Sequence, residues 1–240
     1  MFFLRKKNLK LKPLVSDFHS HLIPQVDDGI QDVPSAVEIA ESLKKLGVQT
    51  IITTPHISQH AYPNTAETIM AGYSQIREAL KIHDPNLDFF VAAEYYMDEI
   101  FLISIQQKAP LLTFGQRHLL FETSYLSEPL QLNEVIFQLV TQGYRPMLAH
   151  PERYMYMTVR KAEDLRNRGV NLQLNLLSLI GFYAEPVQRL AEKLIDAGLI
   201  NAVSSDCHNP EQARYLEKVI TRKYYRRVLD LPLINFNITA

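Results

Sequence analysis

The chain has 240 residues, of which 47% are hydrophobic and 21% are charged. These proportions predict one globular domain with a sizeable core. A net charge of −1 and a pI near 6.7 argue against a general nucleic-acid surface. The single cysteine, Cys207, excludes an internal disulfide framework and suits a reducing cytoplasm. No apolar stretch approaches the ~18 residues of a membrane span, so we expect a cytoplasmic protein.

The amino terminus is strongly basic. Residues 1–13 (MFFLRKKNLKLKP) carry five cations and no acidic residue. No apolar segment follows the charges, so the segment is not a signal peptide. We expect a solvated tail. The alternative is a weak contact with the inner face of the membrane or with an acidic partner, through Phe2, Phe3 and Leu4.

Seven short apolar or β-branched runs, each followed by a helical pattern, predict seven strand–helix units. The predicted strands are 15–21, 49–54, 87–93, 118–122, 146–150, 171–175 and 201–206. The predicted helices are 35–46, 64–83, 98–107, 132–142, 162–168, 186–197 and one that begins near Pro210. Asn64 and Glu67 are predicted to form a capping box for the second helix.

This alternation without a linker is typical of a parallel α/β barrel. An eighth strand is missing, and the tail 231–240 (LPLINFNITA) could supply it only weakly. We therefore predict a distorted, TIM-barrel-like (β/α)7 barrel.

Nine side chains of metal-ligand type lie at the carboxyl ends of the predicted strands. They are His19, His21, Asp28, His56, Glu94, Glu122, His150, Asp206 and His208. The carboxyl ends of parallel strands meet at the face where barrel enzymes build active sites. Five histidines and four carboxylates exceed the needs of one mononuclear site. They predict two or three ions, with Glu94 as a bridging ligand, and the ligand types suit zinc, manganese or iron.

Closely spaced metal ions favour phosphate ester hydrolysis. They lower the pKa of bound water toward ~7, hold phosphoryl oxygens and neutralise the leaving oxygen. Arg153 follows His150 closely, and its planar guanidinium can pair with two phosphoryl oxygens; the alternative is a surface ion pair. Thiol catalysis is excluded by spacing. A thiol phosphatase needs an arginine six positions after its cysteine, in the loop that binds phosphate, and six positions after Cys207 this chain has Ala213.

Five strings carry a family resemblance: HSHLIPQVDDG (19–29), TTPH (53–56), AAEYY (92–96), LAHPERY (148–154) and SDCHN (205–209). Together they resemble the polymerase and histidinol phosphatase (PHP) superfamily. More narrowly, they are similar to the manganese-dependent tyrosine phosphatases of bacterial capsule and exopolysaccharide loci. The resemblance spans residues 15–210. It implies that residues 14–240 form a single PHP-type catalytic barrel that holds three metal ions. Manganese is the expected metal, and iron and zinc are the alternatives.

The resemblance also implies roles by position. The three implied metal sites consist of His19, His21, Glu94 and Asp206; of Glu94, Glu122 and His150; and of Asp28, His56 and His208. Asp28, and not its neighbour Asp27, occupies the position of the metal ligand in the family's motif. Arg153 falls on a phosphate-binding arginine. The family often has a second arginine after the Asp-x-His string; here the loop reads NPEQAR, and Arg214 is expected to serve from a shifted position.

These features imply a metal-dependent phosphomonoesterase in which metal-bound hydroxide attacks phosphorus. The expected substrate is phosphotyrosine on a bacterial tyrosine kinase that regulates capsule or exopolysaccharide synthesis. Phenolate, with a pKa of ~10, leaves without a strong general acid. The alternatives are a phosphatase of histidinol-phosphate type, a PHP nuclease and a non-catalytic kinase-binding scaffold. A nuclease would need a basic track, so no nucleic-acid partner is expected. A non-catalytic scaffold would have no use for an open metal site, which argues against that alternative. The sequence leaves the oligomeric state open.

Several other residues are given no metal role. His118 begins the fourth strand, ~13 Å before Glu122, and is predicted to be structural at the opposite end of the barrel. His60, in the loop after His56, is predicted to be a solvated loop residue; the alternative is that it lines the site. Four tyrosines either flank an aromatic substrate or pack under loops: Tyr62, Tyr95, Tyr96 and Tyr125.

Overall fold

The structure, a computed structural model, describes residues 13–237. Apart from Pro13, the predicted basic tail lies outside the described residues. The strands within this range are β1 (Ser16–Asp17), β2 (Thr50–Thr53), β3 (His56–Ile57), β4 (Asp88–Val91), β5 (Glu94–Tyr96), β6 (His118–Glu122), β7 (Arg145–Ala149), β8 (Asn171–Asn175) and β9 (Ala202–Ser204). The helices are α1 (Val33–Lys45), α2 (Ala66–His83), α3 (Glu99–Gln106), α4 (Leu132–Thr141), α5 (Val159–Asn167), α6 (Glu185–Asp196), α7 (Pro210–Val219) and α8 (Lys223–Leu229). In residues 13–237 no helix is long and apolar enough to cross a membrane.

The strands pair in parallel in two sheets. One sheet has the order β1-β2-β4, and the other has the order β3-β5-β6-β7-β8-β9. β3 continues β2 after Thr54 and Pro55, and β5 continues β4 after Ala92 and Ala93. The two sheets therefore share two interrupted strands, and the seven predicted strand positions are confirmed.

The first and last strand positions meet at their carboxyl ends. A parallel bridge joins Ser20 to Cys207. The Asp206 N–H donates to the His19 carbonyl at 2.8 Å, and the His21 N–H donates to the Cys207 carbonyl at 3.0 Å. These bonds link the two sheets a second time, so the strand positions form a ring. The predicted distorted (β/α)7 barrel is confirmed.

At the other end of this seam, one side chain from the C-terminal segment connects β1 to β9. Asn235 is fully buried on a short 3-10 turn, Ile234–Phe236. Its Nδ2 donates to the carbonyls of Ser16 and Val203 at 2.8 and 2.7 Å, and its Oδ1 accepts from the Val203 N–H at 2.9 Å. The segment that could have supplied an eighth strand supplies a bridging amide instead.

The helices lie close to their predicted bounds, but the cap of α2 differs. Thr65 is the N-cap and forms a capping box with Thr68. The predicted box of Asn64 and Glu67 is wrong, because Thr65 is the extended residue from which the helix starts. Asn64 instead donates to the carbonyls of Val26 and His56 at 2.8 and 2.9 Å and ties two loops together.

Alternation along the strands separates the core from the site. A small apolar cluster includes Ile52, Leu120 and Met147 from facing strand positions, and the larger cluster packs between strands and helices. Leu120 and Glu122 share a strand face because side chains alternate with period two. The face that is apolar within the barrel therefore becomes acidic at its carboxyl end.

Candidate metal centre

Glu94 occupies the centre of a cluster of histidines. Its side chain is fully buried. Oε2 lies 3.0 Å from His19 Nε2, 3.2 Å from His56 Nδ1 and 3.5 Å from His21 Nε2. Oε1 lies 3.2 Å from His150 Nε2. One carboxylate thus faces four histidines from three strand positions, which is the position expected of a bridging ligand.

The structure brings all nine predicted ligands together. Their donor atoms form four overlapping groups, and within each group every atom lies within 4.8 Å of the others. The groups are His21, Asp28, His56 and His208; His19, His150 and Asp206; His19, His21 and Glu94; and His56, Glu94 and Glu122.

These groups overlap the sets implied by resemblance without matching them fully. Asp28, His56 and His208 form one group, which His21 joins. Glu122 and Glu94 group with His56, while His150 Nε2 lies 3.8 Å from Glu122 Oε2. The geometry therefore defines one contiguous ligand cluster.

Two predicted ligands follow their strands in unusual backbone conformations. His150 follows β7 with φ 35°, and Asp206 follows β9 with φ 51°. A non-glycine residue at positive φ costs of order 1–3 kcal/mol and persists where its surroundings enforce it. Here the turn sends the chain away from the strand while the side chain stays at the strand end. Both ligands are therefore held in position by the backbone.

The two adjacent aspartates have different positions. Asp27 is buried and contacts His21 Nδ1 at 2.7 Å, and it accepts from the His56 N–H at 2.9 Å. Asp28 is half exposed and lies 3.6 Å from the Nε2 atoms of His56 and His208. Gly29 is required beside them, because a Cβ there would come within 2.4 Å of the His21 carbonyl oxygen. Asp27 orients a histidine, and Asp28 faces the cavity.

Two buried amides on β8 extend this support. Gln173 Oε1 lies 2.9 Å from His19 Nδ1, and Gln173 Nε2 donates to Asn175 Oδ1 at 3.0 Å. Asn175 Nδ2 donates to Asp206 Oδ2 at 2.6 Å and to the Tyr183 hydroxyl at 3.1 Å. This chain, here called the amide relay, connects two predicted ligands through neutral side chains.

The cluster brings negatively charged carboxylates close together, and this arrangement favours the binding of cations. Burial disfavours the charged forms of His19 and Glu94, yet their mutual attraction raises the pKa of His19 and lowers that of Glu94 well beyond their usual values. The pKa of Glu122 is raised well above its usual value by burial and by the negative charges of Glu94 and Asp206. Three carboxylates this close repel one another unless positive charge lies between them.

Unpaired buried atoms show that the residues fit metal ions. His56 Nδ1 and Glu94 Oε1 are buried and make no well-aligned hydrogen bond among the described residues, although each lies 3.2 Å from a polar atom of another predicted ligand. Such atoms cost free energy unless something satisfies them. A mixed set of imidazoles and carboxylates matches manganese, iron or zinc.

Arg153 stands at the wall of the cavity beside this cluster. The cavity has a volume of about 480 Å³. The guanidinium carbon lies 4.7 Å from the ring centre of Tyr125 and 4.3 Å from that of Tyr183, and Nη1 donates to Asp206 Oδ2 at 3.2 Å. Held between two rings, the cation lines the cavity with its remaining donors.

The sequence matches the family described as capsular polysaccharide synthesis, CpsB/CapC, over residues 15–229. The chain belongs to the CpsB/CapC family.

Relatives within this family are distant but matched over most of their length. CapC of Staphylococcus aureus is 28% identical over 195 residues, which cover 80% of this chain and 76% of CapC. Tyrosine-protein phosphatase CpsB of Streptococcus pneumoniae is 27% identical over 220 residues, with 87% and 90% covered. A crystal structure from work on YwqE of Bacillus subtilis and CpsB of S. pneumoniae, described as unique metal-dependent tyrosine phosphatases, has a TM-score of 0.74 and 25% identity, with 90% and 91% covered. The predicted resemblance is confirmed.

In this CpsB/CapC chain, Arg214 does not reach the cavity. Its Nε donates to Glu38 at 2.9 Å, and two thirds of its side chain is exposed (67%). Ala213 is buried against the core, so the next residue on α7 faces outward toward α1. Asn209 and Gln212 line the cavity from this segment instead. The expectation that Arg214 fills the phosphate role from a shifted position is therefore corrected.

The structure also places two residues that were given no metal role. Cys207 is fully buried, and burial raises the pKa of its thiol. His118 is buried at the amino end of β6, where its ring stacks on Phe114 at 5.4 Å, and Phe114 stacks on Phe18 at 5.2 Å. The position of His118 agrees with its predicted structural role, and that of Cys207 agrees with the exclusion of thiol catalysis.

Sequence reasoning missed Tyr183, Gln173 and Asn175. Three amides with period-two spacing in the strand NLQLN are the available signal, because all three must point to one face and the last two lie near its carboxyl end. Tyr183 has no comparable signal, since it follows a 3-10 turn, Leu176–Ile180, whose path depends on packing.

Proposed function

We propose that this chain is a metal-dependent tyrosine-protein phosphatase. The observation that carries the proposal is the convergence of nine ligand-type side chains around Glu94, in the cavity that Arg153 lines. Relatives named tyrosine-protein phosphatases support the same activity here. The family description supports a role in capsule or exopolysaccharide synthesis.

We further propose that the nine residues hold three divalent ions, with manganese preferred over iron or zinc. Two of the four donor groups share Glu94, and the other two share His19, His21 or His56 with them, which supports closely spaced ions. When bound, such ions lower the pKa of coordinated water, hold phosphoryl oxygens and neutralise charge on the leaving oxygen. Asp27 and the amide relay orient His21, His19 and Asp206 for this task.

Arg153 is proposed to bind the phosphoryl group. Its position between Tyr125 and Tyr183 fixes the plane of the guanidinium, and its pairing with Asp206 leaves other N–H groups for phosphate. A fixed cation stabilises charge without rearranging during the reaction. The phenolate product has a pKa of ~10, so the chain needs no strong general acid.

The proposed partner is a phosphotyrosine-bearing bacterial tyrosine kinase of polysaccharide export, met in the cytoplasm near the inner face of the membrane. The names of the relatives support a phosphotyrosine protein as the class of substrate. Contact of the basic tail with the membrane, and assembly into an oligomer, stay predictions.

Rates on three substrates test the proposal: a phosphotyrosyl peptide, histidinol phosphate and an oligonucleotide with a 3′ end. We expect the peptide to react fastest, a chelator to abolish the rate and manganese to restore it. A faster rate on histidinol phosphate would favour the metabolite phosphatase. Cleavage of the oligonucleotide alone would favour the nuclease. Absence of all three rates in manganese-loaded protein would favour the scaffold.

A further inference from the structure

A second cavity opens beside the metal cavity. It has a volume of about 290 Å³, and most of its exposed wall is apolar although its lining includes polar residues: Ser58, His60, Ala61, Tyr62, Tyr96, Asp98 and Glu122. Tyr62, Tyr96 and Glu122 also line the metal cavity, so the two spaces are contiguous. We call the smaller space the side cavity. Glu122, a predicted metal ligand, lies at the boundary between them.

One wall of the side cavity is a fixed loop. The Ser58 N–H donates to the Tyr62 carbonyl at 2.9 Å, and the Ala61 N–H donates to Ser58 Oγ at 3.3 Å. Asp98, the N-cap of α3, accepts from the Gln59 N–H at 2.6 Å and anchors the loop tip. The Tyr62 ring stacks on His56 with a centroid distance of 5.2 Å. This wall is therefore already in place before substrate binds.

The facing wall belongs to the barrel. Tyr96 ends β5, in parallel register with Glu122 of β6. Its side chain is half-buried and lines both cavities. The backbone pairing of β5 with β6 fixes the start of the Tyr96 side chain beside Glu122. Two aromatic residues on independently fixed elements thus frame the entrance to the side cavity.

Polarity distinguishes the two spaces. Arg153, Asn209 and Gln212 line the metal cavity and are absent from the side cavity. A bound aryl phosphate has a charged end, which suits Arg153 and the metal ligands, and an apolar ring, which suits the side cavity. An apolar cavity of about 150 Å³ already accepts benzene, so the side cavity has room for a phenyl ring.

We propose that the side cavity is the subsite for the aromatic ring of the substrate, with Tyr62 and Tyr96 as its specificity-determining residues. This inference rests on the proposed phosphatase function and deepens it. Aromatic rings at 4.5–7 Å attract one another beyond the burial of their surfaces. The side chains of phosphoserine and phosphothreonine have no ring to fill the subsite, so the subsite selects phosphotyrosine.

Two phosphonates that are not hydrolysed isolate the contribution of the ring. Benzylphosphonate carries the ring and methylphosphonate lacks it, while the charged group is the same. Calorimetric titration of manganese-loaded protein should show roughly tenfold tighter binding of benzylphosphonate, which corresponds to one aromatic contact pair. Tyr96→Ala and Tyr62→Ala should each lose most of this preference and keep the affinity for methylphosphonate.

Controls separate the subsite from general damage. Tyr96→Phe should keep most of the preference because the ring remains. Tyr224→Ala removes a half-buried tyrosine on α8 that bonds Asp196 and lines neither cavity, and it should keep the full preference. Metal content and thermal unfolding of each variant are measured alongside, and Tyr62→Ala decides the matter if Tyr96→Ala does not fold.

The outcomes are separable from those of the proposed function. Equal binding of the two phosphonates by the unmodified protein would overturn the subsite, even if the protein hydrolyses phosphotyrosyl peptides. A preference that survives both alanine variants would place the ring elsewhere and also overturn it. A preference lost in both variants supports the subsite, and failure to hydrolyse the peptide would then count against the phosphatase function alone.

Discussion

Gln173 and His19 form a fully buried hydrogen bond of 2.9 Å between Oε1 and Nδ1. Because the other end of the amide donates to Asn175, the oxygen of Gln173 must face the ring, and Nδ1 carries the proton. His19 Nε2 then faces the space between Glu94 and Asp206, which lie 3.0 and 3.1 Å away, and is the nitrogen left to bind a metal ion in exchange for its proton. A neutral amide thus selects the tautomer of a predicted metal ligand.

Gln173→Leu should weaken metal binding. Without the acceptor, His19 can rotate or protonate at Nε2, and loss of such an outer partner typically costs ~10–100-fold in metal affinity. Titration of manganese into metal-free protein measures the change. Gln106→Leu, at an exposed position of α3, is the matched control. Equal affinities of the two variants would show that the amide relay does not orient the ligands.

Arg153→Ala should keep its full metal content and lose ~10²–10³-fold in rate, the size typical of removing one preorganised donor. Arg153→Lys should recover only part of the rate, because an ammonium group lacks the bidentate fork. Metal analysis beside phosphotyrosyl-peptide kinetics tests this. Loss of metal from the alanine variant would mean that Arg153 supports Asp206 rather than phosphate.

Arg214→Ala should have a nearly unchanged rate on the same peptide. Its side chain is mostly exposed and pairs with Glu38 on α1, and an exposed ion pair contributes at most about 1 kcal/mol to stability. The KM and kcat of the variant are compared with those of the parent protein. A large rise in KM would mean that α7 moves when substrate binds and that the family-based expectation for this arginine was right.

Cys207→Ser should leave the rate near normal, and a chelator should abolish it until manganese is added. The thiol is fully buried, and its raised pKa keeps it protonated, so it cannot act as a nucleophile. Burying a hydroxyl in its place costs about 1–3 kcal/mol of stability, so the rate is corrected for the folded fraction. A folded, metal-loaded variant without activity would overturn the metal-dependent mechanism.

Stability should fall in acid partly through His118. Burial lowers its pKa from 6.5 to about 4, and the charge of Arg145 adds to the effect. Between about pH 6.5 and 4 the unfolded chain binds a proton here that the folded chain does not, so the free energy of unfolding falls as pH falls. His118→Gln removes this contribution, while other titrations are common to both proteins. The difference in their unfolding free energies should therefore change across this window, and a constant difference would contradict the assignment.

The order of strands and the positions of the ligand-type residues could be predicted because both depend on local patterns. Apolar runs mark the strands, and a polar residue directly after such a run, as with Glu122, lies at a strand end. The break between β2 and β3 and the break between β4 and β5 could not be predicted in the same way. Pro55 gives a local signal for one break, but Ala92 and Ala93 look like ordinary strand residues, and the break there depends on how two sheets meet.

Long-range contacts explain what the sequence did not reveal. Arg214 is one residue from a position that faces the core, and a helix turns each residue by ~100°, so a small error in register moves it from the cavity to the surface. Tyr183 reaches Arg153 only because the turn after β8 folds back over the strand ends. Asn64 looked like a helix cap and instead joins two loops.

The bridging amide of Asn235 also has a consequence for the order of folding. The backbone carbonyl of Asn235 also accepts from the Ser16 hydroxyl at 2.9 Å across a sequence separation of 219 residues. Contacts of such separation form slowly, because the entropy of closing a long loop is lost before the contact stabilises anything. The seam between β1 and β9 cannot be completed on a ribosome until residue 235 has been synthesised. His19 and Asp206 lie on opposite sides of this seam, so the metal centre is assembled only after synthesis of almost the whole chain.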